Sequence, residues 1–290
     1  MTNNTRNINN IFFIFIISHL IFWILVPSLV NQNLPLDIIE ALAWGSNLDW
    51  GFNKHPPMSA FFPEVFFQIL GSQDWAYYLL SQIFVITSFY YVYKFSKEFF
   101  NNNLLGLISV LIIEAIYFYN FTTPEFNVNV CQLPFWSLVV YFSWKIYTSK
   151  EIQFTDCFFV GLFAAFGFLS KYLFVYLLVS IDLLFIYLIF IKKERKFDFK
   201  YLITVEIFLI ILVPHLIWLN NNDFITIIYG LARTGLEQSS LIDHIKFPLI
   251  FLIKQIGILV PFLILVWLLV KKIKFKFNLK DKKLLFLLAI

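Results

Sequence analysis

Charge and cysteine are what this chain has least of. Only 14% of its 290 residues are Asp, Glu, Lys or Arg, and 60% are hydrophobic, whereas soluble domains are about a quarter charged. That deficit excludes an ordinary soluble fold, and a mean hydropathy of +0.78 points to a polytopic membrane protein. The two cysteines, Cys131 and Cys157, sit in apolar context, so they indicate small buried hydrophobes and neither a disulfide framework nor a thiolate metal site. The nine glycines form no phosphate-cradling loop and no nucleotide-binding signature. The four histidines, His19, His55, His215 and His244, have no spacing that resembles a zinc site. The net charge of +4 becomes a topology signal once the charges are placed, and nucleic acid is excluded as a partner.

What is abundant is apolar sequence in membrane-length runs. Ile11–Val30 is long enough to cross about 30 Å of hydrocarbon. It lacks a convincing cleavage site, so it reads as a retained first helix. Further spans are expected at Trp75–Tyr93, Leu104–Tyr119, Val130–Tyr147, Cys157–Ser170, Tyr172–Ile191, Tyr201–Leu219 and Leu249–Val270. Met58–Gly71 reads as an aromatic amphipathic segment that lies in the interface or re-enters the bilayer. With these spans, all but five of the 22 Lys and Arg residues fall on one side. The exceptions are Lys54, Lys171, Arg233 and Lys246, with Lys254 inside a span. Positive charge marks the cytoplasmic side, so the amino terminus is expected there. Residues 31–74 then form the first extracytoplasmic loop, and Asn220–Pro248 forms another. The closing run Leu284–Ile290 stops where a span would continue, so longer relatives are expected to carry further helices.

On the charge-poor side, Leu36–Pro57, LDIIEALAWGSNLDWGFNKHPP, is a polar and acidic island between long apolar runs. If 37–47 is helical, Asp37, Glu40, Ala41 and Trp44 share a face at positions i, i+3, i+4 and i+7. Two acids and an indole then look into one space. Asp37 at a helix start also suits capping, but with a second acid, a Lys-His-Pro-Pro run and aromatic residues nearby it is the first candidate for a general base. Lys54 and His55 precede two prolines, which extend the backbone and fix how the side chains project. At headgroup level a cation there suits the phosphate of a lipid carrier. Lys171 interrupts an apolar stretch, which makes it a functional candidate by position, and Arg233 in Tyr229-Gly-Leu-Ala-Arg is a candidate of the same kind. Glu125 and Asn127, in Pro124-Glu-Phe-Asn127, suit hydrogen bonding to sugar hydroxyls and suit helix capping equally well. His215 reads as a hydrogen-bonded interfacial residue. Asp37, Glu40 and Glu125 also supply oxygen ligands for a divalent metal if they converge; no other cofactor is expected.

In order along the chain, Asp37-Ile-Ile-Glu-Ala-Leu-Ala-Trp44, Leu48-Asp-Trp-Gly51, Lys54-His-Pro-Pro57, Pro124-Glu-Phe-Asn127, Gly167-Phe-Leu-Ser-Lys171 and Pro214-His-Leu-Ile-Trp218 resemble the bacterial membrane glycosyltransferases of the dolichyl-phosphate-mannose–protein mannosyltransferase superfamily. That superfamily includes the lipid A aminoarabinose transferases and shares the GT-C fold. The family's acidic motif is commonly Asp-Glu; here Ile38 takes the second position and Glu40 follows one turn later. The resemblance implies an all-α, GT-C-type transmembrane bundle over 1–290 with extracytoplasmic amphipathic helices, in a bacterial inner membrane. It implies inverting transfer of a sugar from a polyprenyl phosphate to a hydroxyl that Asp37 deprotonates, with Lys54, Lys171 and Arg233 on the departing phosphate. The acceptor is then lipid A, another glycolipid, a polysaccharide or a protein. Two alternatives stay open at this point: a lipid-linked sugar flippase using Glu114, Asp182 and Glu206, and an inactive fragment that only binds a lipid carrier.

Overall fold

The computed structural model describes residues 3–233, 240, 242–269 and 281–290, and every regular element among them is helical. They are α1 (Asn3–Val30), α2 (Leu36–Gly45), α3 (Met58–Leu70), α4 (Asp74–Phe100), α5 (Asn103–Glu114), α6 (Val128–Thr148), α7 (Phe154–Ser170), α8 (Val175–Ile186), α9 (Lys200–Asn221), α10 (Ile225–Arg233), α11 (Asp243–Leu269) and α12 (Lys282–Leu287). The chain divides into two units, Met1–Thr226 with Phe286–Ile290, and Ile227–Leu285.

In the first unit the long helices pack in a row. α1 lies on α4 and α5, α4 on α6, α6 on α7 and α7 on α9, while the short α2 and α3 pair with each other and α3 touches α4, α6 and α7. Small residues let the backbones approach, as membrane helices require where no hydrophobic force drives them together. At Gly161 of α7 a Cβ would lie 2.5 Å from the Thr204 carbonyl oxygen of α9. Aromatic rings fill the remaining grooves: Phe12 stacks on Tyr93 at 4.1 Å, Phe62 meets Phe84 edge-on at 4.8 Å, and Phe142 meets Phe159 at 4.9 Å. Buried Phe286 meets Trp144 at 5.1 Å. Cys131 and Cys157 are free and buried, as their apolar context implied.

The molecule is an all-α membrane protein. Three of its helices are long and apolar enough to cross a membrane by length and composition among the described residues: Arg6–Val30, Tyr172–Ile191 and Lys200–Asn221. The sequence predicts eight crossings. α4 and α6 have the length, but they bury hydroxyls and an amide (Ser81, Gln82, Ser88, Ser96, Ser137, Ser143) against their neighbours, and these groups dilute the apolar signal. α7 has only 17 residues. The run Leu104–Tyr119 is not one helix, because α5 stops at Glu114 and a single tight turn, Tyr117–Tyr119, follows. Asn120 Nδ2 takes up the Glu114 carbonyl at 2.6 Å, satisfying a group that the ended helix leaves without an intrahelical donor.

The connections segregate to two ends. At one end the α1–α2 and α5–α6 segments meet through the Asp37 N–H and Glu125, and the α7–α8 junction meets α6 through Lys171 and Asn129. At the other end Lys145 pairs with buried Asp156 at 2.7 Å, Arg195 donates to the carbonyls of Tyr147 and Ser149 at 2.5 and 2.8 Å, and Lys200 donates to that of Ile152 at 2.9 Å. In the second unit, Ser240 donates its N–H and Oγ–H to Asp243 at the start of α11, at 3.0 and 2.9 Å. Residues 271–280, most of the basic stretch that anchors the charge argument, lie outside the described residues, as do 234–239 and 241 of the second polar excursion.

Candidate active site

α2 begins immediately after Pro35, whose φ of −58° directs the chain into the helix, and it carries Asp37 in its first turn, where the helix dipole favours a carboxylate. Ile38, Ala41 and Gly45 are buried. Asp37, Glu40, Ala41 and Trp44 line a cleft together with His55, Ser59, Asn127 and Val128. The face expected from the 3.6-residue period is the face that forms the cleft wall. The enclosed space is small, about 20 Å³, which is room for roughly one water.

The two acids of α2 have different surroundings. Glu40 is bound by the Lys54 ammonium, which also sits 5.9 Å from the centre of the Trp44 ring. Trp44 in turn stacks on Phe52 at 5.5 Å and meets His55 edge-on at 5.9 Å. Asp37 is exposed, and its carboxylate takes no hydrogen bond or ion pair from the described residues. Its backbone N–H instead donates to Glu125 Oε1 at 3.2 Å, joining α2 to the segment before α6. Burial pushes the Glu125 carboxyl above its usual range, the Asp37 N–H opposes that shift, and the Asp37 charge adds to it. Burial also pushes the His55 imidazole below its usual value; Glu40 and Asp37 oppose this, and Lys171 and Lys54 add to it. His55 is therefore neutral at pH 7.

The Trp50–Pro57 turn is held from two helices. His215 of α9 is fully buried; its Nδ1–H donates to the Trp50 carbonyl at 2.5 Å, and its Nε2 accepts from the Tyr172 hydroxyl at 2.8 Å. Thr226 Oγ1 donates to the Phe52 carbonyl at 2.5 Å, and the Phe52 N–H donates to the His55 carbonyl at 3.1 Å. Gly51 faces Trp218 so closely that a Cβ would lie 2.3 Å from Trp218 Cε3. His215 is thus hydrogen-bonded, as its sequence context suggested, but its partners come from 165 and 43 residues away.

α7 ends at Ser170, and Lys171 turns the chain into extended backbone with φ −161°. Its Nζ donates to Asn129 Oδ1 at 2.5 Å. Asn127 caps α6, its Oδ1 accepting from the Asn129 and Val130 N–H groups at 2.9 and 3.2 Å, while the residue also lines the cleft. Of the two roles weighed for that position, helix capping is the one these bonds fulfil. Arg233 is exposed in the last turn of α10, in the second unit. Among the described residues no three of His, Cys, Asp and Glu gather as a metal-binding group. Ser59, whose hydroxyl is buried at the cleft, went unremarked in the sequence. One serine in an aromatic helix carries no signal until the helix is packed.

The chain was compared with known families and proteins. Residues 54–218, more than half of the chain, match the family model described as Dolichyl-phosphate-mannose-protein mannosyltransferase. No curated protein and no solved structure matches. The matched stretch opens at Lys54 and closes at Trp218, so it takes in His55, Ser59, Glu125, Asn127, Lys171 and His215; Asp37 and Glu40 lie upstream of it.

Proposed function

The chain belongs to the dolichyl-phosphate-mannose-protein mannosyltransferase family, and from that premise we propose that it transfers a sugar from a polyprenyl phosphate to a hydroxyl of an extracytoplasmic glycolipid, glycan or protein, with inversion at the sugar carbon. Membership makes it a membrane glycosyltransferase that draws on a lipid-phosphate donor. A donor carried in the lipid suits a chain without a nucleotide-binding loop.

The observation that carries the residue assignment is the inequality of the two acids. Glu40 is engaged by Lys54, whereas the Asp37 carboxylate is exposed and unengaged among the described residues. In the reaction proposed, Asp37 takes the proton of the acceptor hydroxyl. The acceptor oxygen then forms its bond to the sugar carbon as that carbon's bond to the phosphate oxygen breaks, and the electron pair leaves with the phosphate. Charge growing on the phosphate is the main electrostatic demand of the step. Lys54 and Lys171 are assigned to meet it, with Glu125 and Asn127 contacting the sugar. Neutral His55 serves as a hydrogen-bonding group, with Trp44 as a ring for the sugar to lie against. The polar excursions, which carry little positive charge, are placed on the outer face of a bacterial inner membrane, with the amino terminus inside.

The flippase alternative loses support. Glu114 is taken up by His19 at 3.1 Å, and Asp182 and Glu206 lie on exposed faces of α8 and α9. Mass spectrometry of surface glycans and glycolipids tests the transfer reading in cells carrying the intact gene, a deletion, or Asp37→Asn. Loss of one sugar modification in both altered strains is expected. A full complement of glycans with Asp37→Asn, where the deletion loses one, would remove Asp37 as the base.

A further inference from the structure

Ser59 is the second residue of α3 and is only 3% exposed, yet its Oγ has no hydrogen-bond partner among the described residues. A buried hydroxyl without a partner is destabilising, and most buried polar groups are paired. Neighbouring helices would ordinarily supply an acceptor or the position would be apolar, as are the adjacent Met58, Ala60 and Phe61. Ser59 instead opens into the cleft that Asp37 and Glu40 line.

Size and charge restrict what can sit there. About 20 Å³ admits one oxygen-sized group beside Ser59, with a sugar ring left at the mouth of the cleft. Two carboxylates line the same space, so an anionic phosphate oxygen would be repelled there, while a neutral hydroxyl would be accepted. We propose that Ser59 binds the acceptor hydroxyl, donating its Oγ–H to one lone pair of the acceptor oxygen. The acceptor's own proton points to Asp37, and its other lone pair is left to attack the sugar carbon. The hydroxyl that has no partner among the described residues is then satisfied when the acceptor is bound. The proposal rests on the transfer reading given above and adds a residue that selects and orients the nucleophile.

The purified full chain in detergent tests it, with farnesyl-phosphate mannose as donor and octyl β-glucoside as acceptor. Donor hydrolysis is counted as transfer to water, a second group of the right size. Ser59→Ala is expected to lower kcat/KM for the acceptor about tenfold, the scale of one uncharged hydrogen bond, and to leave the donor KM unchanged. Because no intramolecular bond is lost, the thermal midpoint of the unliganded variant is expected to stay level or rise. Wild-type transfer with an unaltered acceptor kcat/KM in Ser59→Ala would overturn this inference alone. So would a fall in thermal midpoint together with loss of both acceptor and donor binding, which would assign Ser59 to packing. A wild-type chain that consumes no donor would overturn the transfer reading and this inference with it.

Discussion

Lys54 binds Glu40 from the far side of the turn that follows α2, and Asp37, one helical turn earlier on the same face, has no ion-pair partner among the described residues. The difference makes the two acids separable by mutation. Asp37→Asn removes the proton acceptor and is expected to reduce turnover by about 10²–10⁴-fold with the donor KM little changed, the range for a positioned general base. Glu40→Gln breaks an ion pair whose side chains are 37% and 30% exposed, and pairs that open to solvent contribute little. Its effect on turnover is expected to be less than about tenfold. Steady-state kinetics of the two variants in one membrane preparation decides the assignment; a larger loss for Glu40→Gln would reverse it.

His55 and Glu125 give stability an opposed dependence on pH. Burial holds His55 below its ordinary 6.5, so as pH falls below about 6.5 the unfolded chain takes up its proton first, and stability drops until the folded value is passed. Burial holds Glu125 above its ordinary 4.5, so the folded chain keeps its proton longer and stability drops as pH rises from that value. His55→Asn is therefore expected to flatten the loss of thermal midpoint between pH 6.5 and the acid limb, and Glu125→Gln to flatten the opposite slope above pH 4.5. Thermal melts across pH 4–8 measure both. Parallel curves for His55→Asn and wild type below pH 6.5 would show that His55 is not the group titrating.

His215 joins the Trp50 carbonyl to the Tyr172 hydroxyl, and removing it takes a partner from each. His215→Ala is expected to lower stability by about 2–4 kcal/mol, the scale of two lost part-buried hydrogen bonds together with the cavity left by a buried ring. Tyr172→Phe removes one partner and is expected to cost about 1 kcal/mol. The double variant is expected to cost less than the sum, because the second change removes a bond already lost. Additive losses in denaturation of the four proteins would mean that the two side chains act independently.

How far the sequence reaches is visible at these same residues. The α2 face was legible because a 3.6-residue period is a local property, and the apolar runs and their flanking charges announced a helical membrane protein. Asn127 and Glu125 were legible as a polar pair at a helix mouth. What local pattern does not carry is which distant groups meet. The Lys54–Glu40 pairing depends on how the Trp50–Pro57 turn folds back over α2. The hold on that turn comes from His215, and the stranded hydroxyl of Ser59 emerges only when α3 is packed. The run 104–119 reads as one span because Ala115 and Ile116 give no breaking signal, yet the helix stops at Glu114, whose carboxylate meets His19 and whose carbonyl meets Asn120.

Gly51 links this architecture to the site. Its φ is not in the left-handed region, so the backbone places no demand for glycine, and the reason for the residue is space. A Cβ would come within 2.3–2.9 Å of three atoms of the Trp218 indole. That ring is rigid, unlike a flexible chain end, and lies parallel to the His215 ring with centroids 6.3 Å and planes 9° apart. Gly51→Ala must therefore push the turn or the indole, and overpacking of this kind costs about 1–3 kcal/mol. The turn carries Lys54 and His55 three and four residues later, so the donor KM is expected to rise with the loss of stability. Shortening the indole in Gly51→Ala/Trp218→Leu frees the space and is expected to restore part of both. If Gly51→Ala alone keeps the wild-type midpoint and donor KM, the turn has room to move and Trp218 does not set the position of Lys54. If the double variant recovers stability but not KM, the indole itself positions the turn, and space alone is insufficient.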